Sequence, residues 1–314
     1  MPEQRNRVAA IDCGTTSIRL LISDVSPAGE GRGAVKTDRL REMRVVRLGQ
    51  DVDRTGHLSP DAIARTLGVT REFAELILMF GATDVRFCAT SAVRDADNAA
   101  DLEDGVEGIL GVRPVVLAGI DEARASFLGA TRDLADERTL VIDIGGGSTE
   151  IVIGTGEDIE WSVSLDIGSV RLTERFLSSD PASVSEVTDC MNHLDTVLAP
   201  VVAQLSPVGA FIGVAGTVTT VAAHALALPS YDSSRIHGAR LALDDVRAAC
   251  LSLAQMSVAD RRALPFMHPG RADVIGAGAL ILDRLVDLLP LETDTLVVSE
   301  HDILDGIAWD IAKQ

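Results

Sequence analysis

A chain of 314 residues, 46% of them hydrophobic, is long enough for two domains with substantial cores and too apolar for a disordered protein. A formal charge of −19, with Lys36 and Lys313 as the only lysines, excludes the basic face of a general nucleic-acid binder and is ordinarily read as solubility. No apolar run approaches the ~20 residues of a membrane span. The polar start Met1–Arg7 leads into a strand pattern rather than a signal peptide, and Cys13, Cys88, Cys190 and Cys250 form no CxxC, so the expected location is cytoplasmic with reduced thiols.

In chain order, Val8–Ile11, Ile18–Ser23 and Met43–Leu48 read as three antiparallel strands. Ser59-Pro60 has the form of a helix start, with serine as cap and proline in the first turn. That helix runs to about Phe80, with Ile63, Leu67, Phe73 and Ile77 recurring mostly on one side. Val85–Ala89, a polar helical stretch and Val115–Leu117 complete a mixed α/β unit. The order then restarts. Leu140–Ile144, Glu150–Ile153 and Trp161–Leu165 are three strands, followed by helices at about 168–177 and 183–205 and a strand at Phe211–Val214. Helices fill 217–290, and Thr295–Val298 is a last strand before a short C-terminal helix. This is an internal repeat of fold more than of sequence. The expected domains are 1–125 and 126–314, joined through a helix at about 121–133, with the terminal helix, about 301–314, packing back on the first.

Two hairpin turns carry one device: Asp12-Cys13-Gly14-Thr15-Thr16-Ser17 and Asp143-Ile144-Gly145-Gly146-Gly147-Ser148, each between apolar strands. Three consecutive glycines are costly inside a strand. They suit a turn whose successive N–H groups form an anion-binding nest. Asp143 and Glu150 flank the second nest, where carboxylates can hold Mg²⁺, and Asp12 occupies the equivalent place beside the first. Gly14, Thr15, Thr16 and Ser17 are candidate phosphate ligands, and Arg19 shares the strand face of Ser17. Two copies imply two facing half-sites with a cleft between them. Gly213 to Thr217 adds a strand-to-helix turn where Gly216 and Thr217 can meet a phosphate. Asp121-Glu122 opens a helix, where a carboxylate can be a general base or an ordinary cap; the residues alone leave both roles open. Thr90, Ser91 and Arg94 leave a strand in the same ambiguous way. There is no Walker motif, no G-x-G-x-x-G and no HExxH.

Taken together these segments resemble the exopolyphosphatase / guanosine pentaphosphate phosphohydrolase (Ppx/GppA) family, of the actin-like ATPase superfamily. The marks are Asp12 to Leu21, Ala89 to Arg94, Asp121-Glu122-Ala123-Arg124, Asp143 to Glu150, Ile167 to Glu174, Gly213 to Thr217, Arg271 to Ile275 and Val298-Ser299-Glu300. They span nearly the whole chain, in the short two-domain form. The resemblance implies two ribonuclease-H-like α/β domains with an interdomain cleft and a homodimer; the acidity and the lack of a long apolar run lead to the expectation of no DNA or membrane partner. It implies Mg²⁺-dependent (or Mn²⁺-dependent) release of the terminal phosphate of inorganic polyphosphate, with conversion of pppGpp to ppGpp as a second activity. It makes Glu122 the catalytic glutamate and places Asp143 and Glu150 in its phosphate and metal motif, beside the metal role that the residues themselves suggest for Asp12. Gly145, Gly146, Gly147 and Ser148 fall in its phosphate motif, and Arg19, Arg94 and Arg271 where the family carries arginines that can face phosphates. Thr16 stands where members often have Asn, and Asp121 where they often have Glu; the first bears on substrate preference, while the second keeps the charge. The rival readings are a kinase of the same superfamily acting on a polymer or acetate-like acceptor, and a non-catalytic sensor of ppGpp or polyphosphate.

Overall fold

The structure, a computed structural model, describes residues 6–26, 35–132, 134 and 137–313. The chain forms two compact units, one holding residues up to Gly129 together with Ile303 onward, the other Ala130–Asp302. In chain order the first unit contains β1 (Asn6–Cys13), β2 (Ser17–Ser26), β3 (Val35–Val45), α1 (Val52–Thr55), α2 (Pro60–Phe80), β4 (Asp84–Ala89), α3 (Ser91–Arg94), α4 (Ala99–Leu110), β5 (Val115–Val116) and α5 (Gly119–Thr131), whose end reaches the second unit. The second contains β6 (Thr139–Ile144), β7 (Thr149–Thr155), β8 (Asp158–Leu165), α6 (Ser169–Phe176), α7 (Val184–Val202), β9 (Ala210–Val214), α8 (Ala215–Ala225), α9 (Ser233–Ile236), β10 (Arg240–Ala242), α10 (Leu243–Gln255), α11 (Val258–Ala263), α12 (Ile275–Leu288) and β11 (Thr295–Val298). The last helix, α13 (Ile303–Ala312), belongs to the first unit.

The first sheet has the order β3-β2-β1-β4-β5, with β1, β2 and β3 antiparallel and β4 and β5 parallel to β1. The second has the order β10-β11-β9-β6-β7-β8; its β6, β7 and β8 are antiparallel, β9 and β11 run parallel, and β10 is an antiparallel edge. An antiparallel meander extended by parallel strands is the ribonuclease-H-like arrangement, and it occurs twice.

Strand alternation explains the layers. Ala9, Ile11 and Cys13 of β1 face a core closed by α2 and α4, with Phe73, Phe87 and Leu102 at its centre. Val8 and Ala10 face the opposite core, closed by Ile303, Leu304 and Ile307 of α13. A strand buried on both faces reads as a continuous apolar run, as β1 does. Each such large apolar side chain contributes about 1.5–3 kcal/mol on full burial. In the second unit α12 packs against α6, α7, α8 and α10 and is buried nearly all round. Helix ends follow from local chemistry. Ser59 Oγ accepts from the Ala62 N–H at 3.2 Å, Pro60 occupies the first turn, and Gly81 ends α2 at φ 68°. Ser183 and Glu186 form a capping box on α7, and the same carboxylate takes the N–H groups of Ser178 and Ser179.

Two boundaries differ from the sequence reading. The third strand is Val35–Val45, not Met43–Leu48. It is an edge strand rich in charge, with Lys36, Asp38, Arg39, Arg41, Glu42 and Arg44, so its apolar period is weak. Val46 and Leu48 are buried in the segment beyond it. Within 217–290 the short strand β10 interrupts the helices. No described helix is long and apolar enough to cross a membrane.

Candidate active site

In the first unit, the β1–β2 hairpin closes through the Gly14 N–H to the Ser17 carbonyl at 3.0 Å. Its outward-turned segment is supported from behind. The Thr16 carbonyl accepts from Val46 and Arg47, and the Thr15 carbonyl from Gly49. Gly49 is needed there because a Cβ would stand 2.5 Å from Thr15 Cγ2. Thr15 Oγ1 lies 3.0 Å from Ser91 Oγ, which ties the turn to α3. The N–H groups of Thr15 and Thr16 meet no protein acceptor among the described residues. Asp12 and Arg19 are register partners across the hairpin. Arg19 Nε and Nη2 both donate to Asp12 Oδ2, at 3.0 and 2.7 Å. The expected metal ligand and the expected phosphate ligand are therefore paired with each other.

Glu122 sits in the first turn of α5, buried, with its N–H and that of Asp121 donating to the Ala118 carbonyl. Arg94, at the end of α3, donates through Nη1 to the Leu117 carbonyl at 2.9 Å and to Glu122 Oε2 at 3.0 Å. A carboxylate held by a guanidinium that is itself held by a peptide has a fixed direction and can take a proton from water. Arg94, expected at a phosphate, thus contacts the candidate base directly.

In the second unit, Asp143 and Glu150 are register partners on β6 and β7, so their side chains share one face of the sheet. Both are buried, Glu150 to 1% exposure, and Ser164 Oγ donates to Glu150 Oε1 at 2.7 Å. Like charges placed opposite one another are destabilising unless something neutralises them. Two hard oxygen donors fit Mg²⁺, which is commonly held by one or two carboxylates and completed by water and phosphate oxygens.

The glycine turn between them lies against the start of α6. Ser169 N–H donates to the Gly145 carbonyl, and Val170 and Arg171 N–H both donate to that of Gly146. Arg171 Nε donates to the Gly147 carbonyl at 2.8 Å. The approach is close enough that a Cβ on Gly168 would stand 2.3 Å from the Gly146 oxygen. The N–H groups of Gly146, Gly147 and Ser148 meet no protein acceptor among the described residues. Arg171 had no role in the sequence reading. An arginine at the start of an amphipathic helix reads as solvated, and its contact is a backbone oxygen 24 residues away.

The third element is the β9–α8 junction. Ala215 has φ 67°, a left-handed value uncommon for alanine, at the first residue of α8. Gly216 follows with the Arg271 guanidinium against it; a Cβ would lie 2.4 Å from Arg271 Cζ. Thr217 is buried beside them. Arg261 donates to the Leu253 and Ala254 carbonyls at the end of α10 and to that of Ala272, which anchors the segment carrying Arg271. Tyr231 donates to Glu300 Oε1 at 2.6 Å, another contact the sequence did not reveal. Burial, followed by the Glu300 charge, pushes the Tyr231 phenol well above its usual range.

A repeated ribonuclease-H-like α/β fold whose hairpin turns offer N–H groups and carboxylates defines a class of phosphate-handling protein. Residues 32–314 match the Ppx/GppA phosphatase family, and the chain belongs to that family. It is 46% identical to Exopolyphosphatase 2 of Mycobacterium tuberculosis, over 98% of each chain. The crystal structure of an exopolyphosphatase-like protein is 40% identical, covers 98% of each chain and superposes with a TM-score of 0.87. The Aquifex aeolicus member of the Ppx/GppA family is 31% identical, covers 99% of each chain and gives 0.81.

Proposed function

We propose that this protein is an exopolyphosphatase, which hydrolyses the terminal phosphoanhydride of inorganic polyphosphate. The observation that carries the reading is the second turn. Three N–H groups that meet no protein acceptor among the described residues stand between two buried carboxylates, a pattern suited to a phosphate group and its cation. The 46% identity to an exopolyphosphatase makes polyphosphate the source of that phosphate.

Asp143 and Glu150 are the residues that would hold Mg²⁺, with Mn²⁺ as a substitute; the ion would neutralise phosphate oxygens. The N–H groups of Gly146, Gly147 and Ser148 bind and orient the transferred group, and Gly14, Thr15, Thr16 and Ser17 form a phosphate cradle within the first unit. Gly216, Thr217 and Arg271 form a further anion subsite at the start of α8. Glu122, directed by Arg94, accepts the proton of the attacking water. The water oxygen bonds to the terminal phosphorus, the bridging P–O bond breaks, and the chain one phosphate shorter leaves.

The test is phosphate release from short polyphosphate, long polyphosphate and pppGpp in parallel, with and without Mg²⁺. Free phosphate from polyphosphate, dependent on the cation, is expected, with pppGpp as a second substrate. A phosphorylated acceptor in place of free phosphate would make the protein a kinase, and tight binding without release would make it a sensor.

A further inference from the structure

The carbonyls of Gly145, Gly146 and Gly147 all accept from the start of α6. In a trans peptide the C=O and the following N–H point in opposite directions. Three carbonyls turned towards α6 therefore turn the N–H groups of Gly146, Gly147 and Ser148 away from it, as a set. The first two planes are fixed by backbone donors, Ser169, Val170 and Arg171. The third is fixed by a side chain, Arg171 Nε, on the Gly147 carbonyl. That guanidinium is buried to 9% exposure, with Asp166 Oδ1 3.9 Å from Nη2. In the first turn, by contrast, the Thr15 and Thr16 carbonyls take backbone N–H groups, those of Gly49, Val46 and Arg47, and no side-chain donor among the described residues.

We propose that Arg171 is a positioning residue for catalysis: by holding the Gly147–Ser148 peptide plane, it aims the Ser148 N–H at the transferred phosphate. This rests on the exopolyphosphatase reading. Glycine imposes little conformational restraint of its own, so a three-glycine turn needs an external fixture to be preorganised. Loss of the fixture leaves the backbone donors present but misdirected. Preorganised donors act on the transition state more than on the bound substrate, so the loss falls on kcat.

Wild-type phosphate release is measured first, and failure of the exopolyphosphatase reading would appear there on its own. Arg171→Ala is then expected to lower kcat roughly tenfold or more, with KM for long polyphosphate unchanged. Guanidinium ion added to the solution restores part of the rate. Arg171→Lys, which keeps the charge without the fixed fork, is expected to be intermediate. Independently of catalysis, inorganic pyrophosphate added to ¹⁵N-labelled wild type should shift the amide resonances of Gly146, Gly147 and Ser148. In Arg171→Ala the Ser148 shift should be lost. If Arg171→Ala does not fold, Arg171→Lys decides by the same kcat and amide readouts. A folded variant with wild-type kcat overturns the proposal. So does a variant in which pyrophosphate still shifts Ser148 as in wild type, and this arm applies even if the wild type releases no phosphate.

Discussion

The two hairpin turns place a carboxylate at the same register position and face it with opposite charges. On β1 and β2, Asp12 is opposite Arg19; on β6 and β7, Asp143 is opposite Glu150. The first pair joins opposite charges, with Arg19 Nε and Nη2 both donating to Asp12 Oδ2. The second sets two buried carboxyl groups opposite one another, the arrangement that the proposed function assigns to a cation. Their supports differ too. The first turn is backed by the segment after β3, which holds Arg47 and Asp51 at positive φ, and the second by a helix start and a buried arginine. One motif thus yields two turns of different chemistry, because the residue opposite its aspartate differs in sign.

The largest effect is expected at Glu122, which lies in the unit of the first turn. Glu122→Gln keeps a hydrogen-bond acceptor for Arg94 and removes the proton acceptor, so phosphate release should fall by roughly 10²–10⁴-fold, far more than loss of the Arg94 ion pair would account for through stability. Full phosphate release by this variant would remove Glu122 from the chemistry. Next comes a direct test of the charge difference. Glu150→Gln should raise the Mg²⁺ concentration for half-activation by roughly tenfold or more. Asp12→Asn should leave that concentration unchanged and instead lower stability, since Arg19 loses its ionic partner. Equal Mg²⁺ shifts in both variants would erase the distinction between the turns.

That distinction was half legible in the sequence. Asp-x-Gly-x-x-Ser, repeated between apolar runs, identified both hairpins, and the continuous apolar runs themselves marked β1, β2, β6 and β7. The Asp12–Arg19 pair was not legible, because an arginine on an apolar strand fits a phosphate as well as a neighbour's carboxylate. Only the register settles which atom its fork reaches. Arg171 was hidden for a related reason: the contact that ties it to the glycine turn is to a main-chain oxygen, which carries no residue identity. β3 was displaced because an exposed edge strand has charges where the apolar alternation would be. The helix caps at Ser59 and Ser183 were readable because capping is local.

The glycines behind the turns give a smaller, graded comparison. A Cβ on Gly168 would strike the Gly146 backbone at 2.3 Å, whereas a Cβ on Gly49 would strike the Thr15 and Ala92 side chains at 2.5 and 2.9 Å. Backbone in a bonded turn yields less than a side chain. Gly168→Ala should therefore cost about 3 kcal/mol of stability, at the upper end for overpacking, and Gly49→Ala about 1–2 kcal/mol. Urea unfolding measures both. The reverse order would mean that α6, and not the turn, moves to make room.

The smallest effect concerns acid. Asp24, at the end of β2 away from the first turn, accepts from Arg7 Nε at 2.6 Å and Arg39 Nε at 2.7 Å. The hydrogen bond from Arg7 contributes most, and its carboxyl is lowered to about 2. An unfolded aspartate titrates near ~3.9. The native state therefore binds fewer protons than the unfolded state between these values, and stability rises with pH across that window. The contribution is complete above about pH 4 and is lost as pH falls towards 2. Both arginines are more than one-third exposed, so solvent screens the pair and the effect is modest. Asp24→Asn should be slightly less stable than wild type at neutral pH and should have a flatter stability profile below pH 4. Asp12→Asn, which loses a less exposed ion pair next to the turn, should depress neutral-pH stability more than Asp24→Asn. If Asp24→Asn were the more damaged of the two, the Asp12–Arg19 pair at the first turn would be dispensable to the fold, and its persistence there would point to the site rather than to stability.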